Sequence, residues 1–225
     1  MIGPRIKVCG MTRAEDVREA VRQGADAIGF VLWAASPRAV AVADAARIAA
    51  AVPPFVARVG VFVNASPAEV ARAVREVGLD AVQLHGDENV DAYRDIGARL
   101  IKAVAPDTPQ ALEDALRLPA EVGVLVDARD PEKRGGTGRL GHWRHAAEIA
   151  RVRPVILAGG LTALNVAEAI AVVRPWAVDV SSGVEDAPGI KSAARLSEFM
   201  SAVRASARAA QVDEGEIQMF QTRAL

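Results

Sequence analysis

The feature that most limits how this chain can fold is an alternation repeated eight times. Short runs rich in Val, Ile, Leu and Ala occupy 5–9, 27–31, 57–63, 81–84, 100–104, 122–127, 155–158 and 177–180, and each leads into a longer helix-like stretch. The runs end about 20 to 32 residues apart, the scale of successive strand–helix units. Two strands joined by a helix in one sheet run parallel, and the helix covers a face of that sheet. Eight such units, with no linker or composition shift between them, predict an α/β chain folded as a single (β/α)8 TIM barrel of eight parallel strands with outer helices. The 225 residues are an ordinary length for that architecture.

Helix starts are written where the scheme needs them. Ser66-Pro67-Ala68-Glu69 supplies an N-cap, a proline at the first helical position and an acidic third residue. Thr12, with Glu15 three residues on, is expected to cap the first helix, which periodicity places over 14–23. The barrel is expected to span 1–211. The polar tail 212–225 has no place in the eightfold scheme and is expected to be disordered or to pack on the barrel or a partner.

Composition removes several classes of function. The net charge is -1 and the charges are mixed, so neither a nucleic acid nor a membrane surface is an expected partner. One cysteine, Cys9, rules out an internal disulfide and fits a cytoplasmic setting. No signal-peptide pattern opens the sequence, and no apolar stretch reaches a membrane span. His85, His142 and His145 stand in unrelated contexts, with the latter two read as an exposed helix start, so no metal site is expected. Neither a P-loop nor a dinucleotide fingerprint is present, and no cofactor is expected.

Parity along the strands points to a site. Alternate residues of a barrel strand face inward and outward. Taking the all-aliphatic face as the one that meets the helices puts Lys7, Cys9, Gln83, His85, Lys102, Asp127 and Asp179 inside. In the third run the same rule puts Val59, Val61 and Val63 outside, with Arg58, Gly60, Phe62 and Asn64 within. So polar an interior is more than filler, because unpartnered buried charges cost several kcal/mol. Cys9, His85 and Asp127 also lie at the C-terminal ends of their runs, the catalytic face of this fold. Two glycine turns follow the seventh and eighth runs, and Gly159, Gly160, Ser182 and Gly183 are the candidate phosphate cradle there. The expected ligand is a small phosphorylated molecule.

Taken together, these segments resemble the phosphoribosylanthranilate isomerase family of tryptophan biosynthesis. The resemblance rests on Lys7-Val8-Cys9-Gly10-Met11-Thr12, Ser36-Pro37-Arg38, Gln83-Leu84-His85-Gly86, Asp127 followed by Gly135-Gly136-Thr137-Gly138, Gly159-Gly160-Leu161, and Asp179-Val180-Ser181-Ser182-Gly183-Val184-Glu185. It implies a cofactor-free Amadori rearrangement of N-(5-phosphoribosyl)anthranilate to 1-(2-carboxyphenylamino)-1-deoxyribulose 5-phosphate. By the same resemblance Asp127 is the general acid and Cys9 the general base. Arg38 holds the anthranilate carboxylate, and His85 and Asp179 line the pocket. Lys7 is expected to lower the Cys9 thiol, and Asp179 to keep Asp127 protonated. The enzyme is expected to be a monomer or weak homodimer. Three positions depart from the family pattern. Gly141 and His142 replace an aromatic and an aspartate, the latter the expected cap of the helix after the sixth strand, and Ser192 replaces an acidic residue. A related isomerase of histidine biosynthesis carries an aspartate where this chain has Cys9, which argues against that alternative. A non-catalytic relative is disfavoured by the joint presence of Cys9, Asp127 and Arg38.

Overall fold

The computed structural model describes residues 3–105, 108–127 and 137–206. The Gly135-Gly136 segment and the tail 212–225 lie outside the described residues. Eight parallel strands close a barrel in sequence order: β1 (Arg5–Val8), β2 (Ala27–Val31), β3 (Ala57–Phe62), β4 (Ala81–Leu84), β5 (Arg99–Val104), β6 (Gly123–Asp127), β7 (Val155–Ala158) and β8 (Ala177–Val180). Each agrees with its apolar run to within a residue or so. Closure comes from β1 pairing with β8, which sets Lys7 beside Asp179. The helices are α1 (Ala14–Arg22), α2 (Val42–Ala49), α3 (Pro67–Val77), α4 (Pro109–Arg117), α5 (Thr137–Ala150), α6 (Val166–Val173) and α7 (193–206). A small antiparallel hairpin, β9 (Glu185–Ala187) with β10 (Ile190–Lys191), follows β8.

Local chemistry accounts for the elements. Ser66 accepts from the Glu69 N–H while the Glu69 side chain accepts from the Ser66 N–H, and Gly78 ends α3 in the left-handed conformation. The outward strand residues Ile6, Val8, Ile28, Phe30, Phe62, Val82, Leu84, Val124, Val126, Leu157, Val178 and Val180 join the helices in one buried core. Each fully buried side chain of this kind contributes roughly 1.5–3 kcal/mol.

Five expectations are corrected. The fourth strand leads to no α-helix, only a 3-10 turn at Val90–Tyr93, because the short stretch to β5 is broken by Gly86 and by Gly97 at φ 81. Lys102 faces outward, since its register partners Leu84 and Val124 both do. There it fills the place of the missing helix. Its Nζ donates to the Gly86 carbonyl and to the buried Glu88 carboxylate, which also accepts from the Asn64 and Gly86 N–H groups. The third strand is inverted. Val61 pairs in register with inward Gln83, and Val61 and Val63 line the barrel mouth, whereas Phe62 packs among the helices. Both faces of a barrel strand are buried, so aliphatic character alone does not tell inside from outside. Thr12 does not cap α1. The N-cap is Arg13, and Thr12 Oγ1 donates to the Gly189 carbonyl at 2.6 Å, tying the hairpin to β1. Finally, His142 and His145 fall within α5 rather than at its start, so His142 is not the cap position, and His145 is half-buried rather than exposed.

Candidate active site

The C-terminal end of the barrel opens into a cavity of about 280 Å³. Cys9 stands on its wall where β1 ends. The Cys9 N–H donates to the Val180 carbonyl at 2.8 Å, and Gly10 and Met11 both donate to the Gly29 carbonyl at 3.0 Å, so the strand end is held from both sides. Gly29 on β2 makes the room, for a Cβ there would lie 2.7 Å from Cys9 Sγ. Below Cys9 on the same face, Lys7 Nζ donates to Asp179 Oδ2 at 2.8 Å, and both side chains are buried. The other Asp179 oxygen is enclosed without a hydrogen-bond partner.

This setting moves the thiol opposite to the expected direction. Burial first, and the Asp179 carboxylate with it, push Cys9 up, and Lys7 and Lys191 draw it down by less. Lys7 is itself raised. Burial works against its charge, but Asp179 and Cys9 outweigh that cost. Asp179 is thus the carboxylate that holds the Lys7 ammonium in its charged form.

Across the mouth stand β4 and β6. Gln83 Nε2 lies 2.7 Å from His85 Nδ1, and His85 Nε2 lies 3.5 Å from Asp127 Oδ2. With Gln83 as donor, Nδ1 is the acceptor and the ring proton sits on Nε2, facing Asp127. Gln83 is deeply buried and its Oε1 has no partner.

Arg38 enters from the turn after β2, where its N–H donates to Ser36 Oγ at 3.1 Å. Its guanidinium forks onto Glu185, with Nη2 at 2.6 Å from Oε2 and Nε at 2.9 and 3.0 Å from the two oxygens. Gly10, at φ 78, lets the arginine cross β1, since a Cβ would sit 2.6 Å from Arg38 Cδ. After β7, Gly159 and Gly160 adopt φ 96 and 63. After β8 the chain makes a 3-10 turn, Ser182–Val184.

Cys9, Arg38, His85, Asp127 and Asp179 all line the cavity, as do Gly159, Gly160 and Ser182. Gly183 does not. It lies where the two loops touch, and a Cβ there would fall 1.9 Å from the Leu161 carbonyl oxygen, so its part is to let the β7 and β8 loops close on each other. The sequence reading passed over the apolar walls, Val31, Trp33, Val61 and Val63. Trp33 was within reach of it: Gly29, Val31 and Trp33 share one parity, and this last is an aromatic left 43% exposed at the rim. The arrangement offers a thiol, a carboxylate with an imidazole beside it, a clamped guanidinium, and two glycine-rich turns around one small pocket. Such a set suits proton transfers at a ligand carrying two anionic ends.

Comparison with known proteins agrees in sequence and in shape. The profile of the family described as N-(5'phosphoribosyl)anthranilate (PRA) isomerase matches residues 6–202. An N-(5'-phosphoribosyl)anthranilate isomerase of Acidithiobacillus ferrooxidans is 46% identical over 201 residues, covering 89% of this chain and 97% of the relative. The crystal structure of phosphoribosyl anthranilate isomerase from Thermotoga maritima superposes with a TM-score of 0.82 at 42% identity, covering 90% of this chain and 99% of that one. A second crystal structure of such an isomerase, in complex with reduced 1-(o-carboxyphenylamino)-1-deoxyribulose 5-phosphate, gives 0.80 at 40% identity, with coverage of 90% and 99%.

Proposed function

The chain belongs to the family of N-(5'-phosphoribosyl)anthranilate isomerases, and we propose that it performs that isomerisation of tryptophan biosynthesis with Cys9 as general base and Asp127 as general acid. The observation that carries this reading is the convergence of Cys9, Asp127, Arg38 and the β7 and β8 turns on one cavity. Asp127 protonates the ribose ring oxygen, and the ring opens to an iminium ion at C1. Cys9 as thiolate then takes the proton from C2, giving an enolamine, and tautomerisation yields the ketone. Protons are moved and no electron acceptor is needed, so the rearrangement requires no cofactor.

Each end of the substrate has a place. The guanidinium of Arg38 suits the planar anthranilate carboxylate, and Trp33 and the valine walls suit the aromatic ring. The backbone at Gly159, Gly160 and Ser182 suits the phosphate, with Gly183 closing the cradle from behind. His85 serves Asp127 by presenting its Nε2. The enzyme is read as a monomer or weak homodimer, and the residues of one chain already supply a thiol, a carboxylate and a guanidinium to the pocket. No helix among the described residues is long and apolar enough to cross a membrane.

The test is the fluorescence change as phosphoribosylanthranilate is consumed. Cys9→Ala and Asp127→Asn should each lower kcat by about 10²–10⁴, the usual worth of a positioned acid or base, with the melting temperature close to that of the parent. Near-normal turnover in either folded variant removes that residue from the mechanism. Turnover of the histidine-pathway substrate instead would reassign the reaction.

A further inference from the structure

Glu185 is a heavily engaged carboxylate near the mouth of the barrel. Both of its oxygens accept from Arg38, and Oε1 also accepts from Lys191 Nζ at 2.7 Å and from the Gly189 N–H at 3.2 Å. Lys191, whose side chain is fully enclosed, reaches on to the Cys9 carbonyl at 2.6 Å and the Ser181 carbonyl at 3.4 Å. Its own N–H donates to Asp16 Oδ2 at 3.0 Å, which fixes the hairpin against α1. One buried ion cluster thus touches the arginine after β2, the end of β1 and the end of β8. Burial would push the Glu185 carboxyl up, but Arg38 and Lys191 hold it below the ordinary glutamate range.

We propose that Glu185 is a positioning and specificity-determining residue: it holds the Arg38 guanidinium, in place before substrate arrives, as the reader of the anthranilate carboxylate, while Lys191 pins the Cys9 backbone from the same carboxylate. The proposal rests on the assignment of Arg38 under the proposed function. An arginine has many rotamers to lose, and ordering it in advance removes that cost from binding. The hairpin Glu185–Lys191 therefore serves the site without lining the cavity. It converts a surface-length side chain into a fixed clamp, and it ties the clamp to the strand that carries the base.

The separating variant is Glu185→Gln, which keeps shape and one acceptor oxygen but removes the charge. In the folded variant the KM for phosphoribosylanthranilate and the inhibition constant of anthranilate should each rise roughly tenfold, the worth of one charge-assisted hydrogen bond, while kcat falls by a smaller factor as the Lys191 hold on the Cys9 backbone loosens. A folded variant with unchanged KM and unchanged anthranilate inhibition overturns the proposal. So does an equal loss in kcat with KM unaltered, which is what a general loosening of the site would give. If Glu185→Gln does not fold, the parent enzyme decides. The Arg38 Nε–H resonance, assigned by its disappearance in Arg38→Lys, should be protected from solvent exchange without ligand, and rapid exchange overturns the proposal. Absence of any turnover by the parent would instead refute the reaction assignment, and the protection of Arg38 would still report on the clamp.

Discussion

Lys7, buried, and Lys102, partly buried, both stand on barrel strands, and each is paired with a buried carboxylate. They do unlike work. Lys7 points inward from β1, meets Asp179 from the neighbouring strand at 2.8 Å, and sits under Cys9. Lys102 points outward from β5, meets Glu88 at 3.3 Å, and fills a wall where a helix is missing. The same pair of charges thus lies under the pocket on one side of the strand wall and within the packing on the other. What separates them is one step of strand parity, which sends one ammonium to the pocket and the other to the helix layer.

Breaking the inner pair should have the largest effect. Lys7→Met leaves Asp179 buried without a partner, which costs about 3–5 kcal/mol. It also removes the cation that most favours the Cys9 thiolate, so activity per folded molecule should fall at neutral pH and return partly at alkaline pH. The matching change outside, Lys102→Met, leaves Glu88 with two backbone donors and should cost about 3 kcal/mol at most. Its kcat and KM per folded molecule should remain within twofold of the parent. Denaturant melts and steady-state kinetics on both variants test the contrast, and a kinetic defect in Lys102→Met as large as that in Lys7→Met would dissolve it.

A pH profile sharpens the inner half. The Cys9 thiol is raised by burial, so the protonated, inactive form prevails at neutral pH and the thiolate grows as pH rises. The kcat/KM for phosphoribosylanthranilate should therefore climb through an ionisation above the ordinary cysteine value. That ionisation should move higher still in Lys7→Met. A rate flat from neutral to that ionisation, in an enzyme shown not to be limited by substrate encounter, would exclude a buried thiol as the base.

The smallest expected effect lies at the start of α3. Ser66→Ala removes the cap of α3 and should lower stability by about 1 kcal/mol, with unchanged kinetics. A larger loss, read from a denaturant melt, would mean that the α3 N-terminus supports the barrel wall more than its exposed position implies.

Much of the site was legible because polar residues mark strand faces unambiguously. Cys9, His85, Asp127 and Asp179 interrupt apolar runs with a period of two, and each lines the cavity as parity required. The third strand was misread because Val59, Val61 and Phe62 are all at home in a buried layer, and only register against Gln83 decides which of them face the axis. Lys102 was misread by the same rule applied to a charge, since nothing near it in sequence announces that the helix before its strand is absent. Glu185 was visible as part of a motif but not as a partner, because Arg38 lies 147 residues away along the chain. The direction of the Cys9 shift was likewise out of reach. A lysine two residues off argues for a lower value, and only the depth of burial shows which influence wins.

The sequence by itself determined the barrel, the polar strand ends that line the cavity and the family. Those depend on periodicity and on local residue types, which act over a few neighbours. Tertiary structure alone decided which carboxylate each lysine meets, which face of β3 is the inside, and how Arg38 is held. Those outcomes follow from closing the barrel, where β8 comes to lie beside β1 and residues far apart in the chain share one low-dielectric space. In such a space an unpaired charge is too costly to leave alone, so the pairings made at closure set the electrostatics of the pocket.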